Sequence, residues 1–165
     1  MTETAPKKRW PLPPKTALAV IVVTALVATF IWQRVSLSRM GSGEAVMPDG
    51  AVVKVEIADN KITMERGLSG RDSLDDGRGM VFLFPSADTY SFWMKGMRFA
   101  IDIIWMRGEQ VVAITENAPP PDGADFMTYV PPSPVDRVLE VPAGYAAAHG
   151  IGSGDTVVLR IDSRR

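Results

Sequence analysis

Hydrophobic and polar positions divide the chain into three regimes. Thr16 to Trp32 contains no charged side chain and shows no polar face. Seventeen residues of helix reach roughly 25 Å, the low end of what crosses a bilayer core of about 30 Å. Nine of them are Leu, Ile, Val or Phe, which favours insertion by about 3–5 kcal/mol and outweighs three threonines. Trp10 and Trp32 bracket the stretch as interfacial aromatics do. Ser36 to Gly50 then loses all periodicity and is rich in Gly and Ser, which predicts a flexible tether. From Ala51 onward the pattern is that of strands.

Val53, Val55 and Ile57 alternate with Val52, Lys54 and Glu56, the period-two signature of a half-buried strand. Thr63 is placed to cap a short helix running to about Gly70, with Met64 and Leu68 on one face. Gly79 to Phe84 is apolar on both parities, as in a strand covered on both sides, and Pro85 is expected to end it. Ser91 to Met94 predicts a strand and Gly96 a bend. Ala100 to Met106 predicts another strand, with Ile101, Ile103 and Trp105 on one face and Asp102, Ile104 and Met106 on the other. Arg107 to Gln110 turns this strand into Val111 to Glu116 as a hairpin. The Pro-rich run Asn117 to Pro134 reads as a long stiffened loop of the functional kind. Arg137 to Val141 resumes strand character, and Tyr145 to His149 forms a short helix stopped by Gly150. Gly154 permits a positive φ, and the Asp155 carboxylate accepts backbone N–H groups of the turn that launches the last strand, Thr156 to Ile161. Such a Gly-Asp turn resembles the GD box of cradle-loop barrels. The prediction is a mainly β domain, a small closed or cradle-loop-like β-barrel with one or two short helices, behind one N-terminal transmembrane helix.

Charge gives this arrangement a direction. Residues 1–39 carry six basic side chains against Glu3, whereas the remainder carries 12 basic against 18 acidic. Basic residues before the span keep residues 1–15 in the cytoplasm under the positive-inside rule. That leaves 16–32 as the anchor in the lipid bilayer, 33–50 as tether and 51–163 as a domain delivered outside the inner membrane, periplasmic or extracellular. A cleaved signal peptide is the competing reading, but Gln33 to Arg39 offers no convincing small-residue cleavage site. An acidic domain is a poor partner for nucleic acid, since phosphate binding requires an excess of Lys and Arg. The absence of cysteine removes disulfides and thiol chemistry.

Few side chains point to chemistry. The single histidine, His149, sits at a helix end, no nucleophile elbow occurs, and one His without Cys provides no zinc spacing. Asp72, Asp75 and Asp76 lack calcium-loop spacing. No metal, cofactor or phosphate loop is implied. The densest stretch is Phe92 to Met106. Within it Asp102 requires donors, because an unpaired buried charge costs several kcal/mol. Lys95, Arg98 and Arg71 are its candidate partners; the plainer reading is that Asp102 holds loop backbone N–H groups. Arg71, Trp93, Lys95 and Asp102 form the candidate binding pocket, with Trp105 and Met94 more easily read as core. Asp102 and Glu140 are also the candidate acid and base of an enzyme.

The ordered pieces Gly67-Leu68, Arg71, Gly79 to Phe82, Phe92 to Lys95, Ile101 to Ile103, Val138 to Val141, Ala143-Gly144, Gly150-Ile151 and Gly154-Asp155 resemble domain-of-unknown-function family 192 over about residues 52–161. The chain departs from that pattern at Ser69, where Met is usual, at Gly96-Met97, where Asn-Thr is usual, and at Ala100, where Pro is usual. The resemblance implies a compact β-rich domain, often exported or membrane-tethered, and brings no activity or cofactor. The expected function is a ligand- or partner-binding module of the cell envelope; the alternative is a hydrolase-like envelope enzyme.

Overall fold

A computed structural model of the protein describes residues 19–29, 40–123, 125 and 127–161. It divides into two compact units, Met1–Arg39 and Met40–Arg165. In the first, residues 19–29 form helix α1. Among the described residues no helix is long and apolar enough to cross a membrane. The expected span over 16–32 is therefore described only across its middle, roughly 16 Å of helix. Residues 1–18 and 30–39, with the rest of the expected anchor and the start of the tether, lie outside the described residues.

The second unit is mainly β. Its strands are β1 (Gly41–Val46), β2 (Val52–Ala58), β3 (Arg78–Asp88), β4 (Phe92–Trp93), β5 (Ile101–Arg107), β6 (Gln110–Ala118), β7 (Thr128–Tyr129), β8 (Val135–Pro142) and β9 (Val158–Ile161), with short helices α2 (Lys61–Arg66) and α3 (Tyr145–Ala148). Seven strands form one sheet in the order β6-β5-β8-β3-β2-β1-β9, and β4 pairs with β7 in a small second sheet. Among the described residues only β2 and β3 run parallel; α2 lies in the crossover that such a pair requires.

Several expectations change. The segment expected to belong to the tether contains β1, which pairs with β2 on one side and β9 on the other. Alternation there is masked by glycines: Ala45 is buried, and Gly43 lies so close to β9 that a Cβ would stand 2.6 Å from the Arg160 carbonyl oxygen. The sheet is also not a closed barrel. Its edges β6 and β9 share no ladder; they meet at one end, where Gln110 bridges Thr156 and Val157 N–H donates to the Glu109 carbonyl at 2.8 Å. Beyond Thr156 the chain turns to β1 instead. Pro85 does not end β3, because the pairing with β8 is irregular between Leu83 and Asp88 and no ladder donor is needed there. Asn60, not Thr63, caps α2. Its side chain accepts from Thr63 N–H at 3.1 Å, while the Thr63 hydroxyl accepts from Asn60 N–H at 3.3 Å.

Both faces of the sheet are buried along its central strands β3, β5 and β8, which is why β3 and β5 read as apolar on both parities. One face holds Val53, Val55, Ile57, Val81, Ile104, Met106, Leu139 and Val141, covered by Tyr145 and Ala146 of α3. The other holds Met80, Phe82, Ile101, Ile103, Trp105 and Val138, covered by Leu68, Met94 and Met97 and by Phe92 and Tyr129 of the small sheet. The Pro-rich loop thus contributes β7 as part of that cover. Trp105 and Met94 are core residues, and the Trp105 indole N–H donates to the Thr115 hydroxyl at 2.9 Å.

Candidate functional site

The register between β5 and β8 separates the two carboxylates that the sequence singles out. Asp102 stands opposite Val141, and Ile103 opposite Glu140. Directly opposed residues share a face, so Asp102 belongs to the face of Val141 and Glu140 to the face of Ile103. They cannot act as a pair on one substrate.

Asp102 is fully buried, and its partners are all backbone. Oδ1 accepts from Asn117 N–H at 2.8 Å and Gly144 N–H at 3.1 Å, and Oδ2 from Ala146 N–H at 2.9 Å. It ties the end of β6, where Asn117 has φ of 52°, to the start of α3. Neither Lys95, Arg98 nor Arg71 reaches it; Arg98 pairs with Asp72 on the surface. The Asp155 carboxylate does what its turn predicts, accepting from Gly152 N–H at 2.7 Å beside Gly154, whose φ is 96°.

Arg71 instead meets Glu56 on β2. Its two terminal guanidinium nitrogens donate to the two carboxylate oxygens at 2.6 and 2.8 Å, the planar fork that Arg offers a carboxylate. This hydrogen-bonded pair holds Glu56 below and Arg71 above its ordinary pKa. Lys95 is exposed, and only its main chain takes part, its carbonyl accepting from the Ser69 hydroxyl at 2.7 Å. Gly70 N–H adds a second link to the Gly96 carbonyl at 2.9 Å. A Cβ on Gly96 would lie 3.3 Å from the Ser69 Cβ, so two of the positions that depart from the family pattern are packed against each other.

These links clamp the segment after α2 onto the turn after β4 and leave a cleft beside them. The room inside it for water-sized atoms is about 130 Å³, below the several hundred Å³ of a drug-sized site, so it suits only a small ligand. Phe82 and Phe84 of β3, Tyr90, and Phe92 and Trp93 of β4 supply an aromatic wall. Met64, Leu68 and Met97 supply the other apolar contacts, and Glu65, Arg66, Ser69 and Ser91 its polar ones. The aromatic wall is internally braced. Phe82 and Phe92 meet edge to face at 4.8 Å, and Phe84 stacks on Tyr90 at 3.6 Å. Trp93 is 46% exposed at the mouth. Of the four pocket candidates, Trp93 alone lines this cleft; Arg71, Lys95 and Asp102 are not among its lining residues.

Glu140 also lines the cleft and is only 6% exposed. Its sheet neighbours Met80 and Ile103 are both buried and apolar. Its Oε2 has no hydrogen-bond partner among the described residues. Burial pushes its carboxyl up to about 8, against the attraction of the Arg71 charge. At neutral pH it is mostly the neutral acid, a single O–H donor. The signal that could have ranked Glu140 beside Asp102 was present: both are lone carboxylates inside apolar strands. Tyr90, Phe84 and Ser69 carried no such signal, since only the fold brings them to one wall. Among the described residues no three His, Asp or Glu side chains gather as a metal site.

Comparison with known proteins bears on the family and the fold. A protein of unknown function from Novosphingobium aromaticivorans is 31% identical and superposes with a TM-score of 0.64, covering 72% of this chain and 84% of that one. A Sinorhizobium meliloti protein described as a "putative transcription regulator" is 26% identical with a TM-score of 0.62, covering 73% and 93%. No curated protein matches. Residues 44–159 match the family described as "DUF192: Uncharacterized ACR". Taken with the shared fold, that match over most of the chain means the protein belongs to domain-of-unknown-function family 192.

Proposed function

We propose that the β domain is a binding module for a small, largely apolar ligand, held at the outer side of the cell membrane by its N-terminal segment. One observation carries the binding reading: a buried carboxyl oxygen, Glu140 Oε2, has no hydrogen-bond partner among the described residues, and Glu140 lines an open cleft with aromatic walls. A buried polar group of that kind costs about 1–3 kcal/mol unless something satisfies it, and a bound ligand would. The envelope location is supported by the uncharged stretch Thr16–Trp32 and the basic residues before it. Nucleic-acid binding gains nothing from the acidic balance beyond residue 39.

Screening a panel of neutral fragments against the full-length chain by NMR tests the site. Shifts should cluster on residues 65–69 and 91–93 and on the Trp93 indole, and Phe92→Ala should abolish them. Hits that cluster elsewhere, or none at all, overturn it. An alkaline phosphatase reporter fused after Arg165 tests location. It should be active in cells, and an inactive fusion made in full overturns the envelope assignment.

A second reading has one observation in its favour. A carboxyl that keeps its proton near neutral pH in apolar surroundings is suited to general acid catalysis, so Glu140 is the residue an envelope hydrolase would use here. Asp102, saturated by three backbone donors, would not serve. Turnover of an ester or glycoside panel by the wild-type chain, lost in Glu140→Gln, would favour the enzyme over the binding module.

A further inference from the structure

We infer that the ligand of this cleft is a neutral apolar molecule bearing one acceptor oxygen, of the ketone, ester or ether class, and that Glu140 binds it as a hydrogen-bond donor. The inference rests on the cleft being the binding site and adds the chemistry of what enters it.

Across the sheet Glu140 is flanked by Met80 on β3 and Ile103 on β5, neither of which can hydrogen-bond to it. One strand further lies Glu56, in register with Met80. Two strand spacings, roughly 10 Å, separate the two backbones. The charge nearest in effect is Arg71, but its fork is closed on Glu56. The cleft wall adds Glu65, which pairs with Lys61 at 3.8 Å, and Arg66. None of these supplies the acceptor that a protonated Glu140 lacks.

Three ligand chemistries compete for that position. An ammonium group would ionise Glu140 and pair with it. It would have to shed its water among the aromatic side chains and meet the field of Arg71, which acts on Glu140 with the ammonium's own sign. An anion would have to shed its water among Phe82, Phe84, Tyr90 and Phe92, with no guanidinium fork left open by Arg71. A neutral acceptor oxygen requires neither ionisation nor charge burial. It completes the O–H of Glu140 while its apolar body lies against the aromatic wall. The protonated carboxyl in the cleft lining, pushed up to about 8 by burial, is in the state this contact uses.

Three probes of one shape separate these chemistries: acetophenone, 1-phenylethylammonium and ethylbenzene, titrated into the full-length chain and followed by the Trp93 indole resonance. Acetophenone should bind about tenfold tighter than ethylbenzene at pH 7. Its affinity should fall about tenfold between pH 7 and pH 9 as Glu140 ionises. In Glu140→Gln, whose amide still donates, acetophenone should bind without that fall. Because the wild-type pH profile needs no variant, the test survives a poorly folded substitution. Tightest binding by the ammonium, rising with pH, overturns the inference and leaves the cleft as a site. Equal binding of acetophenone and ethylbenzene does the same. If no probe moves the Trp93 resonance, the cleft reading itself fails.

Discussion

Arg71 donates from both terminal guanidinium nitrogens to Glu56, at 2.6 and 2.8 Å, and that closed fork is what leaves Glu140 without a counter-ion of its own. The pair stands at the rim, with side chains 32% and 39% exposed. Its direct contribution to stability is accordingly modest, below roughly 1 kcal/mol. Its larger effect is on its neighbour. Glu56→Gln removes the charge that balances Arg71, so the Glu140 carboxyl should titrate below its wild-type value of about 8. Carboxyl carbon chemical shifts against pH measure this directly. An unmoved titration would mean that Arg71 and Glu140 do not communicate.

Glu140 should make stability fall with pH across the neutral range. In the unfolded chain its carboxyl titrates near the ordinary 4.5, and in the folded chain near 8. Below pH 4.5 both states hold the proton and the contribution is fully present. From there to pH 8 the folded state holds the proton and the unfolded state does not, so stability drops with rising pH, by up to roughly 5 kcal/mol. Glu56 and Asp49, whose carboxyls are lowered, act with the opposite sign, but in the acid range. Urea midpoints measured from pH 5 to 8 should decline in the wild type and stay level in Glu140→Gln. A level wild-type profile counts against the buried neutral acid.

Asp102→Asn should destabilise without touching the cleft. The amide nitrogen faces a backbone N–H where a carboxylate oxygen accepted one, and the end of β6 and the start of α3 lose a shared acceptor. A loss of about 2–4 kcal/mol is expected, read as a lower urea midpoint, with fragment shifts at residues 91–93 unchanged in the folded fraction. Loss of fragment binding at full stability would return Asp102 to the site.

Gly79→Ala probes the closeness of β3 and β8. A Cβ there would lie 2.7 Å from the Glu140 carbonyl oxygen and 3.1 Å from Val53 Cγ1. The backbone cannot yield as a flexible side chain would, so the strands must part. A cost of about 1–3 kcal/mol, or more, follows, visible in the thermal midpoint. An unchanged midpoint would show that the two strands are less tightly paired at this point than their register implies.

Alternation alone determined much of this protein. Val53, Val55 and Ile57 form one face of β2 because side chains in a strand point alternately to its two sides, a property each residue pair carries locally. The same local logic marked the β5–β6 hairpin, the Gly154-Asp155 turn and the need of Asp102 for partners. The ordered motifs were sufficient to suggest the family. Tertiary structure alone decided the rest. It enrolled Gly41–Val46 in the sheet, supplied Asp102 with backbone donors on β6 and α3, sent Arg71 to Glu56, and put Glu140 on the opposite face, in the lining of an aromatic cleft. Each of these depends on which strands lie side by side and in what register. Distant segments settle that choice when they pack, and no local period along the chain encodes it.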